Sequence, residues 1–144
     1  MTANVFVDTN VLIYAVDQAD LKKQLAAQAW RAWLWETKRG RISFQVLQEF
    51  YVNAIKKQPS AQVEIRKEIS DLMSWQPIAL DASVLARAWI IEDRYGISFW
   101  DSLIVAAARV AGCRYLLTED LQRGQELDGV MVVNPFLSEP TSLT

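Results

Sequence analysis

Four carboxylates, Asp8, Glu49, Asp101 and Asp120, are the residues of this chain whose types and settings point to chemistry. Asp8 ends the first buried-strand pattern, Val5-Phe6-Val7, and is followed at once by a hydroxyl (Thr9), an amide (Asn10) and an apolar helical run from Val11 to Val16. Folds that alternate strands and helices bind ligands beyond the carboxyl ends of their strands, so an acid in that place is poised to act on one. Glu49 falls on the polar face of an amphipathic helix, one turn after Gln45, while Asp101 and Asp120 read as acids at helix starts. Gathered at one sheet edge, four such groups repel one another and hold protons more tightly than free Asp or Glu. Cations relieve that repulsion. An all-oxygen donor set suits Mg²⁺ or Mn²⁺ rather than zinc or copper, and such an ion makes a hydroxide nucleophile and shields a phosphodiester under in-line attack.

Each acid also has a plain structural explanation. Asp8 is placed to cap the helix after it, Asp120 to sit at the positive end of a short helix from Thr118, and Asp101, three residues after Ser98, to complete something close to a capping box. Glu49 on a polar face needs no role beyond solvation. The chemical reading rests on the four together.

The rest of the composition narrows the chemistry further. There is no histidine and a single cysteine, Cys113, which removes zinc fingers, imidazole acid–base catalysis, Ser/His or Cys/His nucleophile pairs and any internal disulfide. No stretch approaches the roughly 20 apolar residues that span a bilayer. The start, Met1-Thr2-Ala3-Asn4, lacks a basic region followed by an apolar one, so a reducing cytoplasm is the expected compartment. Net charge is −2, yet with the four site acids set aside 13 acids face 15 Lys and Arg, so the remaining surface is mildly basic. Charge therefore neither supports nor excludes a polyanionic substrate. With 144 residues, 51% of them hydrophobic, the chain suits one compact domain, 1–144, with a polar, frayed tail at 138–144.

The elements that must position the acids follow from periodicity and breakers. After the first strand and its short helix comes a polar turn, Asp17 to Asp20, then a helix over Leu21 to Lys38 with two apolar stripes: Ala26, Ala29, Trp30, Trp33, Leu34 and Leu21, Leu25, Ala32, Trp35. A helix apolar on two faces is buried on both, as a central core helix or through a partner or dimer surface. Gly40 reads as its stop and Arg41 to Phe44 as a second strand. Leu47, Phe50, Tyr51, Ala54 and Ile55 then mark a helix starting near Ser43. Gln58-Pro59-Ser60 breaks it, and a further helix turns Ile65, Ile69, Leu72 and Met73 inward. Gln76 to Leu80 reads as a short strand, Asp81 as the cap of a helix ended by Gly96, and Leu103 to Ala111 as a central apolar helix. Arg114 to Leu117 and Val130 to Val133 are the remaining strands, with Gly124 to Gly129 a loop. Strands alternating with helices imply an α/β fold with a mainly parallel sheet.

The order Val7-Asp8-Thr9-Asn10-Val11-Leu12, Gln45-Val46-Leu47-Gln48-Glu49-Phe50, Ser98-Phe99-Trp100-Asp101-Ser102-Leu103, Leu117-Thr118-Glu119-Asp120-Leu121 and Asn134-Pro135-Phe136 resembles the PIN-domain nucleases, most of all the small toxins of VapBC-type toxin–antitoxin pairs. The likeness runs from Val5 to Phe136. It implies a three-layer α/β/α sandwich and a metal-dependent endoribonuclease, with Asp8, Glu49, Asp101 and Asp120 in the places of the family's acidic quartet. Asp8 and Asp101 resemble the direct Mg²⁺ or Mn²⁺ ligands, while Glu49 and Asp120 complete the cluster or act through water. Thr118, Asn10 and Ser43 match pocket-bordering positions, Ser43 also being a natural helix cap. The resemblance further implies RNA as substrate, a cognate antitoxin whose arm covers the pocket, and a homodimer; Arg114, Lys56 and Lys57 are candidates for steering the RNA backbone.

Other readings compete. An aspartyl-phosphate phosphatase needs a second acid two residues after the first, where this chain has Asn10; a phospho-receiver domain needs an acidic pair at the first strand. The stronger rival is a non-catalytic scaffold of the same fold that binds RNA or protein without cutting it.

Overall fold

The computed structural model describes residues 3–143, so Met1 and Thr2 of the expected leaderless start and Thr144 of the expected tail lie outside the described residues. The chain folds as a three-layer α/β/α sandwich around a five-stranded sheet of order β2-β1-β3-β5-β4. The strands are β1 (Asn4–Val7), β2 (Gly40–Arg41), β3 (Cys113–Leu117), β4 (Glu126–Leu127) and β5 (Val130–Val133). All neighbours pair in parallel except β4, which runs antiparallel to β5. Val5, Phe6 and Val7 are buried, as expected of a central parallel strand covered on both faces. The helices are α1 (Thr9–Val16), α2 (Leu21–Thr37), α3 (Phe44–Lys57), α4 (Gln62–Leu72), α5 (Ala82–Tyr95) and α6 (Phe99–Val110). They pack in two groups, α1 against α2 and α3 with α4 on α3, and α5 against α6. As its apolar run implies, α6 is central, with Leu103 through Ala108 all buried against β3 and β5.

Strand order has a direct consequence for ligand binding. From β1 the chain crosses to β2 on one side, returns to β3 on the other, and from β3 continues outward to β5. The connections leaving the carboxyl ends of β1 and β3 therefore run to opposite sides, and the crevice between them is the switch point at which sheets of this kind bind ligands. The register Val7↔Leu117 brings Asp8 and Thr118 side by side just beyond that edge.

Several elements differ from what local patterns suggest. Gly40 does not end α2; Lys38 does, in the left-handed conformation at φ 59°, with its N–H on the Leu34 and Trp35 carbonyls. Gly40 lies in β2, where a Cβ would stand 2.7 Å from the Trp75 ring, so glycine is what lets that indole cover the sheet edge. The strand expected over Gln76 to Leu80 is reduced to one parallel bridge between Ile78 and Ser43. Phe44, expected to end the second strand, begins α3 instead. Met73, expected inward, is 45% exposed in a 3-10 turn after α4. The expected loop at 124–129 contains β4 and a two-residue hairpin turn at Asp128-Gly129, both at positive φ (53° and 84°).

The segment from Ser138, expected to fray, packs through Leu143. Trp30, buried, donates its indole N–H to the carbonyls of Pro135 and Ser138 at 3.1 and 3.0 Å. The buried Arg39 ties both ends of the described chain, donating to Ala3 O at 2.6 Å and Leu143 O at 3.1 Å, with its guanidinium over the Trp33 ring. Residues Pro140–Leu143 form a 3-10 turn. On α2, Ala27, Trp30 and Leu34 are buried, whereas Leu21, Leu25 and Trp35 of the second stripe are exposed.

Candidate active site

The site is built where β1 stops. Asp8 leaves the strand in an extended conformation and caps α1, its Oδ1 accepting from Thr9 N at 2.7 Å. The same carboxylate does more than cap. Its Oδ2 accepts the Thr118 hydroxyl at 2.8 Å and the Asn10 amide at 3.2 Å. Asn10 Nδ2 also donates to Thr118 Oγ1 at 3.1 Å and to Asp120 Oδ2 at 3.0 Å, and Thr118 Oγ1 accepts Asp120 N at 3.1 Å. One amide and one hydroxyl thus bind two carboxylates, carried 112 positions apart in the chain, into a single network.

The expected short helix at Thr118 does not form. Asp120 sits in a bend after β3, so the helix-dipole explanation for its charge is removed. Glu49 joins the group from α3: its Oε1 accepts the Thr9 hydroxyl at 2.8 Å. It is half-buried rather than simply solvated. Gln45, expected on the same polar face, is buried, and its Oε1 has no hydrogen-bond partner.

Asp101 stands apart from this network. It lies in the first turn of α6, where Ser98 caps the helix through Asp101 N at 3.1 Å. The link from α6 to β3 is short and the two pack together, so the helix runs back along the strand. A 12-residue helix and a five-residue strand have nearly equal lengths, about 18 and about 17 Å, which puts the start of α6 over the carboxyl edge. Its carboxylate makes no hydrogen bond or ion pair among the described residues. Nor do three or more Asp, Glu, Cys or His side chains close into a metal-holding group among the described residues. Ser43 is fully buried, and its hydroxyl caps α3 by accepting Val46 N at 3.3 Å. The thiol of Cys113 is pushed up to about 12 by burial, which removes it as a nucleophile.

Electrostatics single out Asp8. Burial pushes its carboxyl up to about 6, hydrogen bonds from Thr118 and Thr9 pull it back, and the charges of Asp120 and Glu49 add a smaller upward push. Burial, more than mutual repulsion, makes this acid hold its proton. A second feature points the same way. The amide nitrogen of Asn10 rests on both carboxylates, and the carbonyl oxygen of that amide is buried without a donor. A buried acceptor left unpaired beside a costly buried acid is a setting that a hard divalent cation satisfies, and every donor present is oxygen. The chemistry of the residues fits such an ion.

Thr9 is the residue that sequence reasoning missed. Its backbone N–H holds Asp8 and its hydroxyl holds Glu49, so it couples β1 to α3. Its place directly after the strand-end acid was the available signal; that its hydroxyl would meet Glu49, 40 residues on, was not.

The PIN domain family profile matches residues 5–123. Among solved structures, a toxin–antitoxin complex from Klebsiella pneumoniae is similar, with a TM-score of 0.66 and 22% identity over 92% of this chain and 98% of that one. VapC20 of Mycobacterium tuberculosis, a toxin that cleaves the sarcin-ricin loop, aligns with a TM-score of 0.61 and 20% identity over 78% of this chain and 87% of that one. No curated protein matches in sequence. At these identities the structural likeness speaks for the fold.

Proposed function

The chain belongs to the PIN-domain family, and from that premise we propose that it is an endoribonuclease dependent on Mg²⁺ or Mn²⁺, the toxin of a toxin–antitoxin pair. The observation that carries the reading is the network at the switch point: Asp8 and Asp120 joined through Asn10 and Thr118, with the Asn10 carbonyl buried and unpaired. Asp8 and Asp101 are the residues that would hold the ion, with Glu49 and Asp120 completing the acidic set. When bound, the ion supplies a nucleophilic hydroxide at neutral pH and neutralises charge developing on the phosphodiester.

The chain's own residues prepare that chemistry. Thr118 and Thr9 fix both oxygens of Asp8, so the carboxylate is oriented before any ligand arrives. Asn10 holds Asp120, which is exposed, against Asp8, and Thr9 draws Glu49 towards the same edge. Burial holds the Asp8 carboxyl up to about 6 when no ion is bound, so ion binding there would be coupled to release of its proton. Ser43 and Ser98 cap α3 and α6 and so set the places of Glu49 and Asp101.

The partner reading follows the exposed second stripe of α2, Leu21, Leu25 and Trp35, as apolar surface for an antitoxin or for a second copy in a homodimer. No helix is long and apolar enough to cross a membrane among the described residues, and the protein acts in the cytoplasm, where a lone cysteine stays reduced.

One observation favours the rival, a scaffold that binds RNA without cutting it: no three acids close into a metal-holding group among the described residues. Incubation with a structured RNA pool and Mg²⁺ or Mn²⁺ separates the two. Cleavage abolished by EDTA and by Asp8→Asn or Asp101→Asn is the expected result; RNA binding unchanged in both variants, with no RNA cut, establishes the scaffold.

A further inference from the structure

Two clefts meet at one ion pair beside the carboxylate network. The first, about 350 Å³, opens next to Thr9 and Asn10 and is walled by Tyr14 of α1 and Asn53 of α3. The second, about 530 Å³, continues past Gln58, Pro59 and Ser60. Both are lined by Asp17 and Lys57, whose Oδ2 and Nζ stand 3.3 Å apart. The result is a polar groove along the seam between α1 and α3, leading away from Asp8, with one cation at its midpoint. Lys57 lies eight residues after Glu49, roughly 12 Å along the helix.

The two ends of that ion pair differ. The Lys57 side chain is 49% exposed, whereas Asp17 is 15% exposed and its other oxygen is engaged by Ala19 N. Asp17 is therefore a fixed acceptor and Lys57 a mobile cation parked on it. The other acid of the first cleft, Glu119, is held by Lys23 at 2.8 Å, with Lys23 in turn over the Tyr14 and Phe136 rings. Among the other candidate steering residues, Arg114 is near the amino end of β3, away from the site and paired with Glu126, and Lys56 lines neither cleft.

We propose that the α1/α3 groove is the path of the single-stranded RNA backbone into the site, and that Lys57 is its positioning residue, leaving Asp17 to hold a phosphate next to the scissile one. This deepens the RNA-cleaving reading of the Asp8 site and rests on it for the direction of the strand. A compact, flexible ammonium suits the exchange of one anion for another. Because the contact is to the backbone, it carries no base preference.

The test is binding of a labelled, mixed-sequence single-stranded oligoribonucleotide to the whole protein in EDTA, followed by fluorescence anisotropy across a salt series. Lys57→Ala should weaken binding roughly three- to fivefold, the worth of one exposed charge contact, and lower the slope of log Kd against log salt by about 0.7. Lys57→Arg should restore both, Asp17→Asn should tighten binding by freeing the cation, and Lys67→Ala, on exposed α4, should change neither. With Mg²⁺ present, Lys57→Ala should raise KM and leave kcat nearly unchanged. A wild-type protein that binds no single-stranded RNA overturns the proposal, as does an unaltered slope in Lys57→Ala, or an Asp17→Asn variant that weakens binding as much as Lys57→Ala. If binding depends on Lys57 but no RNA is cut, the catalytic reading falls and the groove stands. If RNA is cut with a KM and slope indifferent to Lys57, the groove falls and the catalytic reading stands.

Discussion

Asp8 is a cap, as its place before a helix suggests, and also the anchor of a side-chain network. It caps α1 through one oxygen and anchors the Thr118–Asn10–Asp120 network through the other. Its raised pKa makes a signed prediction. The folded value, about 6, lies above the ordinary 3.8, so between them the native state binds more protons than the unfolded chain. The stability Asp8 contributes is therefore complete below about pH 4 and lost as pH rises through about 6, an amount of roughly 3 kcal/mol. Urea unfolding at about pH 4 and about pH 7.5 should show that decline in the wild type and a flatter profile in Asp8→Asn. If Asp8 is a ligand, as proposed, added Mn²⁺ should recover stability at the higher pH in the wild type and much less in the variant, which lacks that anionic oxygen pair. Equal pH profiles in the two proteins would show that Asp8 is not the titrating group.

At the scale of elements, the site depends on how β2 hands over to α3. The strand is two residues long, Ser43 caps the helix that follows, and Trp75 covers the strand where Gly40 leaves room. Gly40→Ala puts a methyl 2.7 Å from the indole, an overpacking that should cost about 1–3 kcal/mol. Pairing it with Trp75→Leu should return part of the loss, which a double-mutant cycle by urea denaturation would measure. Fully additive losses would mean that the two residues do not meet. Local pattern could not foresee this device: a glycine after an amphipathic helix reads as a stop, and only the return of residue 75 shows it to be a seat for a ring. Lys38, a residue with no special liking for positive φ, takes the left-handed turn because the chain must reverse before reaching β2.

Over the whole molecule, the last described residues act as a strap. Leu143 O accepts the buried Arg39, and Ser138 O shares the buried Trp30 N–H with Pro135 O, so one guanidinium bond and half of a forked indole bond depend on a segment whose composition suggests fraying. Truncation after Leu137 should lower unfolding free energy by about 1–3 kcal/mol, the penalty for leaving the Arg39 donor without Leu143 O while Trp30 keeps Pro135 O, as read by guanidinium denaturation. A truncated protein as stable as the full chain would show the tail to be dispensable. The same helix that docks this strap leaves Leu21, Leu25 and Trp35 exposed, while Trp30 and Leu34 of its other stripe are buried within the chain.

The sequence by itself determined what depends on neighbours in the chain. The central apolar strand ending at Asp8, the helix periods after Ser43 and Asp81 and the buried run of α6 set an α/β fold, and the absence of histidine left carboxylates as the candidate site residues, because burial patterns and breakers act over a few residues. Tertiary structure decided what depends on register between distant segments. Pairing of Val7 with Leu117 placed Thr118 on Asp8 and Asp120 on Asn10, packing of α3 on α1 brought Glu49 to Thr9, and burial more than crowding of charge raised the Asp8 pKa. No local pattern carries that information. Which carboxylates share one environment is settled only when β1 and β3, far apart in the chain, lie side by side and exclude water between them.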